Sequence, residues 1–404
     1  MEVSASFYAS STQVRVQEYE ELLTRGWRRS GTLYYKQNLE RSCCPHYTMR
    51  LEAAAYKPRK DQRKALNRWN RFVLGQEYIR NAAMLCPKTR QEAKSRKNTF
   101  DLRQRVHEAE YSQLPRPINP KTKLPIEPAH KFEVKIEADS LSLEKYNVFL
   151  KYQMAVHKDR EERWKQSDFK RFLCSGISRT IVRRGEKQQR QGSYHQCYRL
   201  DGKVIAVGVL DLLPNGMSSV YIYYDPDYEQ WEFGKLSAMR ELAMAIEEGY
   251  KYYYMGFYIH SCPKMLYKAA FRPQFLLDPE TLLWNPLECY TKKLARRRYV
   301  SLSESHDSDP GKENDDFVLP NENEMSLFDI RMPGVMTLKQ LEATVDLDHW
   351  RLLVRGTLVD MDNLVDWDIS NIKEPHSIKG IVAELAAALG PKVVQNSAVV
   401  LFPS

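Results

Sequence analysis

The sequence predicts a mixed α+β protein, and three observations lead to this fold class. Residues 194–224 alternate strand-like runs with two turn signals. Residues 234–249 show the three- and four-residue apolar spacing of an amphipathic helix. Residues 251–275 read as a strand, a short helix and another extended piece. Strands therefore come first, and helices then alternate with further strands.

The hairpin around Asp201-Gly202 is the strongest local signal, because both residues tolerate positive φ. The strand that returns from it, Lys203 to Leu213, is apolar on both faces, so we expect it in the middle of a sheet. Asp211 is the one charge inside that run. Three strands, a helix, a strand, a helix and a strand is the order of an acyl-CoA N-acyltransferase-like (GNAT-like) core. The predicted fold class is α+β with a GNAT-like core.

The part of the chain before this core predicts shorter elements. Gln17 to Leu23 reads as a helix, and Gly26 to Gly31 as a compact turn. Residues 32–36 and 47–51 read as short strands, and 63–74 has the apolar spacing of a helix.

Next comes a segment, 76–128, that is poor in large aliphatic residues and rich in Lys, Arg, Asn and Pro, which favours partial disorder. Residues 131–138 alternate as a strand, and a helix capped by Ser140 or Ser142 follows. Near the C-terminus, 379–389 reads as a helix.

Charge is segregated along the 404 residues, whose net charge is +9. Residues 57–105 hold fifteen Lys and Arg against four acids, whereas 301–329 holds nine acids and one Lys. Such a basic segment often meets a polyanion, although a solvated basic helix beside an acidic linker explains it equally well. Seven cysteines without a regular framework predict a reducing compartment, the cytoplasm with or without the nucleus.

Several blocks of sequence resemble the eukaryotic, fungal-type arginyl-tRNA–protein transferases. In the N-terminal part these are GWRRSG (26–31) and CCPHYT (43–48). In the later part they include FLKYQ (149–153), KRFLC (170–174), GSYHQCY (192–198), and most of 202–268. The resemblance covers roughly residues 17–51 and 131–290.

The resemblance implies an activity. Members of the family move arginine from arginyl-tRNA onto the α-amine of proteins that begin with Asp, Glu or oxidised Cys, which marks them for ubiquitin-dependent degradation. The implied partners are arginyl-tRNA, proteins with acidic N-termini, and a ubiquitin ligase of the N-degron pathway, with no membrane. An aminoacyl ester is already activated, so positioning and oxyanion stabilisation suffice for transfer.

With the resemblance, the chain divides into five expected parts. They are a truncated N-terminal arginyltransferase domain (1–75), a basic, partly disordered insert (76–130), a GNAT-like catalytic domain (131–298), an acidic linker (299–332) and a C-terminal extension (333–404).

Candidate catalytic residues are Asp211, Asp225, Tyr254 and His195. The two carboxylates would hold the arginyl guanidinium, but Asp211 could instead cap the Pro-Asn-Gly turn and Asp225 could form an Asx turn. Tyr254 would stack on the terminal adenine of the tRNA, unless it belongs to the core. His195 would carry a proton, with a structural role as its alternative.

Other candidates are cations. The acidic N-terminus of the substrate would be bound by Arg28 and Arg29, since a guanidinium holds a carboxylate bidentately. Lys264 and Lys268 would contact the same carboxylate or the 3′ end of the tRNA. Arg28 and Arg29 could equally be a solvated surface pair. The residues expected to contact tRNA are Lys235, Lys292, Lys293, Arg296, Arg297 and Arg298.

The family's N-terminal domain carries a Cys-x-x-Cys pair that joins two adjacent cysteines around zinc or an iron–sulfur cluster. Here Cys43 and Cys44 are the candidate metal ligands, and no cysteine precedes them. Two thiolates are too few for a closed tetrahedral site, so either this chain is a shortened form that lacks its first segment or a partner supplies the other ligands. Transfer itself is expected to need no cofactor, because the aminoacyl ester is already activated. Two alternatives remain. One is an inactive, truncated relative that binds tRNA or acidic N-termini without transfer. The other is an acetyl-CoA-dependent acetyltransferase, which the absence of the usual pyrophosphate loop disfavours.

Overall fold

The computed structural model describes residues 5–11, 13–185, 187–303 and 326–401. They form a mixed α+β fold, as the sequence predicts. The strands are β1 (Ser6–Ser10), β2 (Trp27–Ser30), β3 (Leu33–Gln37), β4 (Tyr47–Glu52), β5 (Phe132–Ala138), β6 (Thr180–Arg184), β7 (Lys187–Leu200), β8 (Lys203–Leu212), β9 (Gly216–Tyr224), β10 (Tyr252–Tyr258), β11 (Phe275–Leu277), β12 (Trp284–Pro286), β13 (Arg351–Val354), β14 (Thr357–Asp360) and β15 (Ala398–Val399).

The helices are α1 (Val16–Leu23), α2 (Lys60–Leu74), α3 (Gln76–Leu85), α4 (Arg90–Asn98), α5 (Leu102–His107), α6 (Leu143–Tyr152), α7 (Gln166–Leu173), α8 (Phe233–Glu248), α9 (Pro263–Leu266), α10 (Glu288–Leu294), α11 (Leu338–Thr344), α12 (Ile378–Leu389) and α13 (Pro391–Gln395). Within the described ranges, none of these helices combines the length and the apolar content that crossing a membrane requires.

Two compact units divide the chain. The first unit takes its described residues from Met1–Met49, Phe257–Ala269 and Gln274–Ser404. The second unit consists of Arg50–Gly256 and Ala270–Pro273. The domain boundaries expected from the sequence stay a prediction, and residues 304–325 of the expected acidic linker lie outside the described residues.

The second unit is built on the predicted hairpin. Leu200 pairs with Lys203 across the turn, where Asp201 and Gly202 have φ of 51° and 84°. Strand β8 lies between β7 and β9, and its side chains are buried from Val204 onward. The prediction of a central strand with two apolar faces is therefore confirmed.

Helices cover both faces of this sheet. Val207 and Val209 of β8 pack with Phe149 of α6 and Phe169 of α7. On the opposite face, a Cβ atom at Gly208 would lie 3.3 Å from the carboxylate of Glu241 in α8. Helix α8 ends where the sequence predicts, because Gly249 adopts the left-handed conformation with φ of 81° that suits a C-cap.

Strands β9 and β10 pair over a short stretch. Their parallel pairing covers three positions, Tyr252 to Tyr254 against Gly216 to Ser218. Strand β9 continues to Tyr224 and keeps pairing with β8.

The segment predicted as partly disordered instead carries the helices α3, α4 and α5. Tyr78, Leu102 and Val106 are buried there. A few apolar residues are enough to hold a short helix in place, because the helix needs to bury only one narrow apolar stripe against its neighbours. Val106, for example, lies beside Leu66 and Leu236.

The first unit differs from expectation around residues 26–31. The sequence predicts a compact turn, but Trp27–Ser30 form strand β2, which pairs antiparallel with β3. Strand β1 completes this sheet in the order β1-β3-β2. The chain reverses at Gly31, whose φ is 61°.

The C-terminal part of the first unit has a core of its own. The predicted helix at 379–389 is present as α12, and Val382, Ala383 and Ala386 pack in a cluster with Trp350 and Trp367. Strands β13, β14 and β15 form a small sheet in the order β14-β13-β15.

Candidate active site

Asp211 lies near the end of β8, where the structure buries it completely. It faces Ser193 of β7, and the Ser193 hydroxyl donates a hydrogen bond of 2.6 Å to Oδ1 of Asp211. The backbone N–H of Ile177 donates to the same hydroxyl at 2.8 Å. A buried carboxylate needs such donors, because burying a polar group without a hydrogen bond costs on the order of 2–7 kcal/mol.

A loop holds this group of polar residues together. Asp139 accepts a hydrogen bond of 3.0 Å from the backbone N–H of Gly176 and also binds the Arg179 guanidinium. A Cβ atom at Gly176 would lie 2.2 Å from the Ser193 hydroxyl, so only glycine fits there. We call Asp139, Gly176, Ser193 and Asp211 the Asp211 group.

Ser193, Asp139 and Gly176 are residues that the sequence did not single out. One signal pointed toward Ser193. Counting outward from the Asp201-Gly202 turn places Ser193 opposite Leu210, one residue short of Asp211. A β-bulge at Tyr198/Arg199 shifts the register by one and brings Asp211 opposite Ser193. Nothing in the spacing of Asp139 or Gly176 could have placed them here.

Asp225 forms the Asx turn that the sequence offers as its alternative role. Its Oδ1 accepts a hydrogen bond of 3.2 Å from the backbone N–H of Asp227, where a short 3₁₀ helix begins. The Nζ of Lys151 lies 3.1 Å from its other oxygen. A role in binding arginine stays a prediction for Asp225.

Tyr254 is buried, with 1% of its surface exposed. Its ring lies against Gly216, where an added Cβ atom would come within 2.5 Å, and its hydroxyl accepts a 3.4 Å hydrogen bond from Arg50. Stacking on an adenine needs an open ring face, so this geometry supports the core role for Tyr254.

His195 is also fully buried. Its Nε2 lies 2.9 Å from the carbonyl oxygen of Leu173, which makes Nε2 the protonated nitrogen. Burial lowers the pKa of His195 to about 4, so the ring is neutral at pH 7. A residue that carries protons needs access to substrate and a pKa near 7, and the structure supports a structural role instead.

In the first unit, two of the predicted cations contact Phe257, one at its ring and one at its backbone carbonyl. The Arg28 guanidinium lies 5.1 Å from the centre of the Phe257 ring, and Lys268 Nζ donates a 3.0 Å hydrogen bond to the Phe257 carbonyl. The His46 ring centre is 5.0 Å from that of Phe257. We call these four residues the Phe257 cluster.

The Phe257 cluster is positively charged and partly shielded from water. Arg28 is 6% exposed. Burial, with a further contribution from the charge of Lys268, lowers the pKa of His46. A carboxylate that entered such a cluster would be attracted more strongly than at the open surface, because the local dielectric constant is lower.

The other two predicted cations lie elsewhere. Successive side chains of a strand point to opposite faces. The Arg29 side chain therefore lies on the face opposite to that of Arg28 and packs over the Tyr19 ring, with its guanidinium carbon 5.9 Å from the ring centre. Lys264 is exposed on the short helix α9. The predicted set of four is thus divided, with Arg28 and Lys268 together.

The residues expected to contact tRNA also fall into two classes. Lys235 is held by carboxylates, at 2.5 Å from Glu232 and 3.8 Å from Asp61. Arg298 binds the backbone carbonyls of Ser42 and Leu39, which indicates an anchoring role. Those that are exposed or half-buried at the surface are Lys292, Lys293, Arg296 and Arg297.

Comparisons with known proteins show which proteins this chain is similar to. A family model described as the C terminus of arginine-tRNA-protein transferase matches residues 144–278, and the corresponding N-terminus model matches residues 2–64. The chain is 34% identical over 278 residues to arginyl-tRNA–protein transferase 1 of Saccharomyces cerevisiae, an alignment that covers 65% of this chain and 49% of the yeast protein. Both the N-terminal part and the later part of the chain are thus similar to arginyl-tRNA–protein transferases.

Other relatives extend the arginyl-tRNA–protein transferase match. The enzyme of that name from Drosophila melanogaster is 27% identical, with 88% of this chain and 90% of the fly protein aligned. An aspartate/glutamate leucyltransferase of Stutzerimonas stutzeri is 45% identical over 80 residues, which are 20% of this chain and 34% of that protein. The solved structure of L-PGS from Bacillus licheniformis aligns with 53% of this chain and 45% of its own chain, at 8% identity and a TM-score of 0.25.

The family's metal centre requires more ligands than this part of the chain provides. Cys43 and Cys44 are half-buried free thiols whose sulfur atoms lie 3.6 Å apart. Among the described residues, no group of three or more His, Cys, Asp and Glu side chains is placed to hold a metal ion. Two thiols do not fit the closed four-ligand site of structural zinc.

Proposed function

We propose that this chain is an arginyl-tRNA–protein transferase, which moves arginine from arginyl-tRNA to the α-amine of proteins with N-terminal Asp, Glu or oxidised Cys. The observation that carries the proposal is the meeting of Arg28 and Lys268 at Phe257, in a chain that is similar to this family. Substrates of this kind share an acidic first side chain, and two neighbouring cations are suited to bind it.

The reaction follows from the chemistry of the two substrates. The neutral α-amine attacks the ester carbonyl of arginyl-tRNA, an amide bond forms, and the bond to the ribose oxygen breaks. The proton that leaves the amine balances the one that the ribose oxygen gains. An α-amine has a pKa of about 7.7–8.0, so a useful fraction is neutral near pH 7 without a strong base. This agrees with a neutral, buried His195.

Recognition of the arginyl group is assigned to the Asp211 group. A guanidinium prefers a carboxylate that it can bind bidentately. Asp211 is a carboxylate whose Oδ1 accepts a 2.6 Å hydrogen bond from Ser193, and because it is completely buried, the arginyl group would reach it only if the structure around it opened. The proposal therefore gives Asp211 the guanidinium and gives Arg28 and Lys268 the acidic side chain of the acceptor.

The finer fold and the partners belong to the same proposal. The order β5, α6, α7, β6, β7, β8, β9, α8, β10 supports a GNAT-like core, as does the short pairing of β9 with β10. Exposed cations at 292–297 would bind tRNA. The product would be read by a ubiquitin ligase in the cytoplasm, a compartment that suits seven free thiols.

The test is transfer of labelled arginine from charged tRNA to two peptides that differ only in an N-terminal Asp or Ala. We expect labelling of the Asp peptide alone. Charging the tRNA with leucine serves as a control, because one relative is a leucyltransferase. Labelling from leucyl-tRNA and not from arginyl-tRNA would overturn the choice of donor.

The second candidate function is binding without transfer. It would be favoured if the chain bound tRNA and the Asp peptide and labelled neither peptide. A chain that shows neither binding nor labelling contradicts both candidates.

A further inference from the structure

A large cleft lies within the second unit, away from the Asp211 group. Helices α2, α3, α4 and α5 line it, and its volume is about 1200 Å³. Pockets for small molecules usually measure about 300–1,000 Å³ and are mostly apolar. This cleft is larger, and its walls include several charged residues.

The charge of the cleft is strongly positive. Among the described residues that line it, five are Lys or Arg and two are Glu, and the basic ones are Arg71, Lys88, Arg96, Arg103 and Arg105. Glu108 engages two of them, at 2.5 Å from Arg96 and 2.8 Å from Arg105. Glu247 pairs with His107, which also lines the cleft. Both acids of the cleft are therefore already engaged, and an excess of positive charge remains.

The excess of positive charge is concentrated around Lys88. Partial burial lowers its pKa, and the charges of Arg96 and Arg105 lower it further. Like charges that crowd one another in this way are stabilised by an anion, because the anion removes their mutual repulsion. Lys88 and Arg71 are themselves exposed to solvent.

We propose that this cleft binds backbone phosphates of the tRNA, which deepens the proposed function and rests on it. The cations of the cleft are distributed over three helices, α2, α4 and α5, and the loop that holds Lys88, and they continue outside the cleft at Arg80, Arg90 and Lys94. A row of phosphates along an RNA strand matches cations spread in this way. A single small anion would need them gathered around one point.

The experiment measures binding of uncharged arginine tRNA as a function of salt concentration. The variant Arg71→Gln/Lys88→Gln removes two exposed cations of the cleft. We expect it to weaken binding roughly tenfold at low salt and to lower the slope of log K against log salt by about 2, one for each phosphate that the variant no longer neutralises. The control, Lys121→Gln/Lys203→Gln, makes the same charge change at exposed positions of the second unit outside the cleft, and should leave the slope within about 0.5 of wild type.

Cys86 provides a second measurement, because it is exposed and lines the cleft. We expect tRNA to slow the alkylation of Cys86 in wild type and not in Arg71→Gln/Lys88→Gln. Equal protection by millimolar inorganic phosphate would assign the cleft to a small phosphate ligand and overturn the proposal. Equal decreases of affinity in the cleft variant and the control would overturn it as well.

The peptide-labelling assay separates this inference from the proposed function. A wild type that transfers arginine but binds tRNA independently of Arg71 and Lys88 contradicts the inference alone. A wild type that binds tRNA through these residues but does not transfer contradicts the proposed function alone.

Discussion

The indole Nε1 of Trp27 donates a hydrogen bond of 2.9 Å to the backbone carbonyl of Ala388. Ala388 lies in the last turn of α12, where helix carbonyls have no partner within the helix. Arg25 donates to the preceding carbonyl, Ala387, at 3.4 Å. Trp27 and Arg25 thus donate hydrogen bonds to carbonyls at the C-terminal end of α12, a helix more than 350 residues further along the chain.

Replacement of Trp27 tests this hydrogen bond. Trp27→Phe keeps an aromatic ring but leaves the Ala388 carbonyl buried without its donor. We expect the free energy of unfolding to fall by about 1–3 kcal/mol, measured by urea denaturation. Trp164→Phe is the control, because the Trp164 indole donates to the partly exposed Asp159 carboxylate and should cost less. Equal decreases would show that ring volume and not the hydrogen bond matters.

The Asp211 group predicts a large effect of a small change. Ser193→Ala removes one oxygen atom and leaves Asp211 buried without that donor. We expect unfolding free energy to fall by about 1–3 kcal/mol, and the KM for arginyl-tRNA to rise if Asp211 binds the arginyl group. Ser175→Ala is a matched control, because Ser175 is half-buried and its hydroxyl donates a solvent-exposed hydrogen bond to the Lys170 carbonyl. An unchanged KM in a folded Ser193→Ala protein would argue against Asp211 as the arginine ligand.

The Phe257 cluster predicts different roles for adjacent arginines. Arg28→Gln should raise the KM for the Asp peptide by roughly tenfold or more, since a charged hydrogen bond is worth about 1.5–3 kcal/mol. Arg29→Gln should leave that KM nearly unchanged, because Arg29 packs over Tyr19 on the other face of β2. Steady-state kinetics with the Asp peptide measures both. The assignment is wrong if Arg29→Gln raises the KM as much as Arg28→Gln does.

A dependence of stability on pH is expected from His107. Its Nδ1 lies 2.9 Å from Glu110 and its Nε2 lies 3.1 Å from Glu247, and these carboxylates raise the pKa of His107 to about 9. An unfolded histidine has a pKa of about 6.5. The stabilisation is therefore complete below pH 6.5 and is lost as the pH rises to 9.

Urea denaturation at pH 6.5 and pH 9 measures this effect. We expect the wild type to lose on the order of 1–2 kcal/mol more than His107→Gln over this range. A variant that loses as much stability as the wild type would show that other groups titrate instead.

Local patterns in the sequence were sufficient for much of the fold. The Asp201-Gly202 turn, the apolar run of β8 and the end of α8 at Gly249 were all predicted, and the structure confirms each one. Each depends on residues close together in the chain, where turn conformation and side-chain periodicity decide the outcome. The blocks that resemble arginyltransferases likewise indicated the family before any coordinates.

Partners of side chains depended on interactions between distant parts of the chain. The bulge at Ile205 of β8 decides that Asp211 meets Ser193, and the strand pleat separates Arg28 from Arg29. Lys235 has the same sequence signature as a phosphate-binding lysine, yet Asp61 and Glu232 hold it. Helices α3 and α5 form despite a composition that favours disorder, because Tyr78, Leu102 and Val106 are buried within the second unit. Only tertiary packing supplies such partners. A charged side chain pairs with whichever opposite charge the fold brings near it, and an apolar side chain is buried against whichever apolar surface lies beside it.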